Sequence, residues 1–65
     1  MSIKELDSVI LTADLPALDL KRGDQGTVVH VYSPDAIEVE FVADSGHTTA
    51  VLTLPTSQIR LSDAA

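Results

Sequence analysis

Gly23-Asp24-Gln25-Gly26-Thr27-Val28-Val29-His30-Val31-Tyr32 is the stretch whose reading decides the fold. A turn with two glycines runs straight into β-branched residues. This pattern predicts the entry to a central, strongly bent strand of a small barrel. Gly26 just before the run calls for a positive φ, a bulge or a close backbone approach. Over Thr27 to Tyr32, alternation puts Val29 and Val31 on one face and Val28, His30 and Tyr32 on the other. Val29 and Val31 are expected inward. Val28 joins them only if Gly26 or Thr27 carries a bulge.

The flanking sequence extends this into an all-β reading. Downstream, Ser33-Pro34-Asp35-Ala36 has proline and aspartate where a type I turn takes them. Ile37 to Val42 then alternates cleanly, with Ile37, Val39 and Phe41 toward the core and Glu38 and Glu40 toward water. A four-residue connection makes these two strands an antiparallel hairpin. Asp44-Ser45-Gly46-His47 is the next tight turn. Thr48 to Leu54 is a fourth strand with Ala50, Leu52 and Leu54 inward. Pro55 to Gln58 reads as one helical turn and Ile59-Arg60-Leu61 as a short closing strand.

Upstream, Ser8 to Ala13 is the first strand, and its run of three apolar residues implies cover on both faces near Ile10. Asp14 to Lys21 is a loop tacked down by Leu15, Leu18 and Leu20, with one helical turn starting at Pro16 as the alternative. Residues 1–7 form a lead-in whose Ile3 and Leu6 must lean on other elements, because seven residues cannot hold a helix alone. Residues 62–65 are a frayed tail. The expected architecture is a single domain over residues 1–65: a small five-stranded SH3-like barrel with a single helical turn before the last strand. In it the first and last strands are neighbours and closure protects most edges.

Size and charge bound the function. A chain of 65 residues buries only ~60% of its unfolded surface, so association is attractive on stability grounds. There is no cysteine, hence no disulfide and no thiolate metal site. Ten acidic residues against four basic give a formal charge of −6. Lys4, Lys21, Arg22 and Arg60 do not form a basic stripe in sequence, which opposes nucleic-acid binding. The N-terminus lacks the apolar core of a signal peptide, and no run approaches the ~20 apolar residues of a membrane span. The expectation is a cytoplasmic protein with no membrane association.

No catalytic, cofactor or metal site is read from the residues. His30 and His47 lack a close-spaced ligand pattern. Glu38 and Glu40 stand ~6.6 Å apart by strand rise. That distance suits a carboxylate pair, but equally any solvated strand face, and a barrel this small offers little room for a cleft. No serine sits in a nucleophile elbow, and no helix follows Gly23 and Gly26 as a phosphate loop requires. Tyr32 and Phe41 are too few to line a proline-rich peptide groove. The remaining candidate is a surface: Asp35, Glu38, Glu40 and Asp44 form an acidic ribbon on the hairpin, suited to a basic protein partner. Gly23, Gly26 and Gly46 are the structural turn positions.

The chain also resembles a small bacterial family of proteins of about this length, grouped as a domain of unknown function. The resemblance runs through Leu6-Asp7-Ser8-Val9, Leu11 to Pro16, Leu20 to Tyr32, Glu38 to Val42 and Thr53-Leu54-Pro55. It brings no activity, cofactor or site residue with it. More loosely, Gly26-Thr27-Val28 is similar to the glycine-valine step of KOW-type barrels, and with the Val-Glu-Phe strand to the small barrel subunit of photosystem I. KOW-type members that bind RNA are basic, and this chain departs from them. The expected function is therefore a non-enzymatic protein–protein interaction module, in the manner of an accessory or toxin-neutralising protein, or one that self-associates. A nucleic-acid-binding barrel is the alternative.

Overall fold

The computed structural model describes residues 3–42 and 48–62; the side chains of Thr48 and Thr49 are not among the described features. The elements are β1 (Ser8–Leu11), a 3₁₀ turn (Pro16–Leu18), β2 (Gln25–Ser33), β3 (Ala36–Val42), β4 (Thr48–Pro55), a second 3₁₀ turn (Thr56–Gln58) and β5 (Ile59–Leu61). All five strands belong to one antiparallel sheet in the order β4-β3-β2-β1-β5. The first and last strands pair as expected, Ile10 standing opposite Arg60. The hydrogen-bonded order leaves β4 and β5 as its two end strands, joined through the second 3₁₀ turn.

β3 behaves as its alternation requires: Ile37, Val39 and Phe41 are buried, and Glu38 and Glu40 lie on the other face. Around them close Val9 and Leu11 of β1, Leu20, Val28, Leu54 and Ile59. Leu52 packs half-buried against this core while Val51 is exposed, so β4 keeps the expected phase. β1 alternates too: its apolar run has Val9 and Leu11 buried and Ile10 half-buried on the opposite side.

β2 departs from its expected phase. Val28 is fully buried (0% exposed) and Val29 is 38% exposed, the reverse of the sequence reading. The cause is a register shift in the β2–β3 ladder between Val28 and His30, which leaves Val29 as the extra residue. Gly26 and Val28 face inward before the shift and Val31 packs on the core after it, so Val31 inward holds. The bulge falls at Val29 itself, not at Gly26 or Thr27.

Gly26 is a strand residue rather than part of the turn. A Cβ there would lie 2.6 Å from Val39 Cγ1, 2.9 Å from the Glu40 carbonyl oxygen and 3.0 Å from Phe41 Cδ1. Close approach is therefore its role. The left-handed conformation belongs to Gly23, with φ 96° and open space around it. It occupies the third position of a turn in which Asp24 N–H donates to the Lys21 carbonyl at 3.0 Å. That turn is clamped onto β1: Gly23 N–H donates to the Leu11 carbonyl and Leu11 N–H to the Asp24 carbonyl. The third structural glycine, Gly46, lies outside the described residues.

The loop after β1 takes the helical alternative, with Pro16 opening the 3₁₀ turn. Leu15 and Leu20 bridge to each other and serve as tacks, whereas Leu18 points to solvent. At the β2–β3 tip, Ser33 Oγ accepts from Asp35 N–H at 3.2 Å. The second 3₁₀ turn docks there, Thr56 donating its N–H to the Asp35 carbonyl and its hydroxyl to the Pro34 carbonyl.

The two glycines should respond differently to substitution. Gly26→Ala is expected to cost about 1–3 kcal/mol through overpacking, and Gly26→Leu considerably more. Gly23→Ala and Gly23→Lys should cost alike, about 1–2 kcal/mol, because only the left-handed backbone is penalised. Midpoints of urea unfolding for the four variants measure this.

Candidate interaction face

β3 carries the centre of the acidic ribbon, and its neighbours define what surrounds it. Glu38 stands opposite His30 on β2 and Thr53 on β4; Glu40 stands opposite Thr27 and Val51. Because a strand alternates, these residues share the side of the sheet away from the core. Tyr32 reaches the same row, its hydroxyl donating to Glu38 Oε2 at 3.2 Å, and its ring meets His30 edge-on at 4.5 Å between centroids. His30 Nδ1 lies 3.7 Å from Glu5 Oε2, which extends the row into the lead-in.

Of the expected ribbon, the structure brings Glu38 and Glu40 together, both half-buried, with Asp35 exposed at the hairpin tip. Asp44 lies outside the described residues, as does His47. The ribbon is not purely acidic. Val29, pushed out by the bulge, and Val51, beside Glu40, are exposed on it, and Tyr32 is 54% exposed. Alternation already put Tyr32 and Val51 on the outward phase; the bulge that moves Val29 from core to surface cannot be read from alternation, so that residue alone was missed in sequence.

The lead-in supplies another exposed apolar residue. Leu6 N–H donates to the Val28 carbonyl at 2.8 Å, and Val28 N–H donates to the Asp7 carbonyl at 2.9 Å, so the segment straps the bulge. Asp7 also accepts from Lys4 N–H through Oδ2. Ile3 leans on the core as expected, but Leu6 does not: it is 82% exposed and has φ 74°. A leucine in this conformation carries a steric cost.

The four basic residues do not scatter completely. Arg22 and Arg60 line one open depression of about 370 Å³ beside β1. A second cavity, about 470 Å³, lies between Ile3, Val31, Ile37 and the hairpin tip. Among the described residues no group of three or more histidine and carboxylate side chains could hold a metal ion, and no polar side chain is buried. No helix among them is long and apolar enough to cross a membrane.

A small antiparallel β domain with a mixed acidic and apolar outer face is the class that fold and site define. The chain belongs to the family described as Domain of unknown function (DUF4926), whose model matches residues 5–61. That span takes in the strap, all five strands and both 3₁₀ turns. No curated protein and no solved structure matches the chain.

Leu6→Gly is expected to stabilise the fold by about 0.5–1 kcal/mol: the ~1–2 kcal/mol left-handed penalty is relieved, offset in part by glycine's extra chain entropy. A higher urea midpoint is the readout. A lower one would show that the leucine contributes packing.

Proposed function

We propose that this chain is a non-enzymatic, cytoplasmic protein–protein interaction module that docks a basic partner on the outer face of β2, β3 and β4. One observation carries the reading: exposed Val29, Tyr32 and Val51 surround the carboxylates Glu38 and Glu40 on one face. An interface needs apolar anchors to bury and charges to steer and register the partner. The aromatic ring of Tyr32 is already oriented by its bond to Glu38 and its contact with His30, so little ordering entropy remains to be lost there. With a formal charge of −6, complementarity favours a partner rich in lysine and arginine.

β4 adds to this surface. From Thr48 to Pro55 it contains no charged residue, and it is an end strand of the sheet. Exposed edges are commonly blunted by charges or bulges, so an uncharged edge beside the apolar residues gives a partner backbone groups to pair with. An accessory or toxin-neutralising protein would use such a surface.

The test is co-purification of tagged wild-type chain against Glu38→Lys and Val51→Lys variants, followed by titration of the purified partner. Wild type is expected to retain a basic protein with salt-sensitive affinity, and each variant to weaken binding at least tenfold while keeping the wild-type circular dichroism spectrum. Retention that neither substitution changes would sink the proposal.

A further inference from the structure

We propose that the depression beside β1 is a binding site for a small organic anion, a phosphate or carboxylate group carried on a short apolar body, held between Arg22 and Arg60. This rests on the other side of the strand order from the β4 end of the interaction face and is independent of it.

Two elements far apart in sequence build the site. Arg60 lies in the middle of β5, opposite Ile10 in the β1–β5 ladder. Arg22 lies in the turn that is clamped onto the end of β1 by the Leu11 and Gly23 hydrogen bonds. Ile10, Thr12 and Gly23 complete the lining, together with Leu11, whose side chain is buried in the core on the other face of β1. The left-handed Gly23 has no side chain and nothing within 4 Å of where one would begin, so a ligand can reach the turn backbone.

Charge makes the pair unusual. The chain has ten carboxylates and four basic side chains, two of which converge here. The one ion pair seen among the described residues, His30 with Glu5, involves neither guanidinium. The nearby aspartates bond backbone groups of the turn: Asp14 Oδ1 accepts the backbone N–H of Arg22 at 2.8 Å, and Asp24 Oδ2 accepts that of Lys21 at 3.0 Å. Among the described residues Arg60 makes one long contact, from Nη1 to the Leu61 carbonyl at 3.4 Å. Guanidinium groups present planar forks that match oxyanions. Two of them beside the half-buried Ile10 side chain suit a ligand with one charged end and a small apolar body. The volume, about 370 Å³, falls in the range of small-molecule sites. The acidic remainder of the surface opposes anions at long range, so binding is expected to be weak and selective for groups that use both arginines.

The experiment is amide-resolved NMR titration of the full chain with inorganic phosphate, phenyl phosphate and benzoate, at constant ionic strength against chloride. Saturable shifts at Thr12, Gly23 and Arg60 are expected with phenyl phosphate or benzoate. Whichever binds more tightly identifies the headgroup. Inorganic phosphate should bind at least fivefold more weakly than phenyl phosphate. Arg22→Gln and Arg60→Gln should each weaken binding at least fivefold, and Lys4→Gln should leave it unchanged. Arg22 and Arg60 are exposed, and the spectrum of each free variant reports its fold; if one unfolds, the other still decides. Shifts that do not saturate, that match chloride, or that survive both arginine substitutions would overturn the site.

Discussion

The contact on which the structure depends is the one at Gly26, where the β2 backbone lies against Val39, Phe41 and the Glu40 carbonyl with no room for a Cβ. Val39 and Phe41 are among the most completely buried side chains, and they occupy the space that any larger residue at position 26 would take. A small domain cannot yield that volume elsewhere, because its interior is close-packed and has few layers over which to spread a displacement. The positions of β2 and β3, and hence the hairpin at the centre of the sheet, follow from this approach.

The bulge at Val29 is the second constraint, and it sets the surface as Gly26 sets the interior. By inserting one residue between Val28 and His30, it keeps both Val28 and Val31 on the core while moving Val29 outside. The strap from the lead-in holds it: Leu6 and Asp7 exchange backbone hydrogen bonds with Val28. Local irregularity thus adds Val29 to the apolar part of the outer face, and the strap leaves Leu6 exposed with a positive φ. Bulges near functional surfaces commonly re-aim a side chain in this way.

Without disulfides the ends of the sheet must be fastened by hydrogen bonds and packing alone. The second 3₁₀ turn is fixed to the β2–β3 tip through Thr56, and the Lys21–Asp24 turn to the end of β1 through Leu11 and Gly23. Both fastenings use backbone groups, with the Thr56 hydroxyl added at the first and the left-handed Gly23 at the second. The turns thereby bring surface residues such as Arg22 to fixed places on the strands.

The sequence by itself determined the β class, the five strands, both hairpin partners of β3, the helical turn before β5 and the pairing of β1 with β5. The strands and turns follow from local causes, namely alternation in Ile37 to Val42, turn chemistry at Ser33 to Ala36 and proline at a helical turn, and the β1–β5 pairing from the need of a small sheet to close near its termini. The acidic pair Glu38 and Glu40 was legible for the same reason. Tertiary structure alone decided the phase of β2, because Val28 and Val29 are equally apolar and only the β3 ladder selects which one is the extra residue. It also decided that Leu6 stays outside and that Arg22 and Arg60 line the same depression, since these depend on strand order and strap geometry. The stretch from Gly23 to Tyr32 announced a bend; where the bend put each valine required the neighbouring strand to settle.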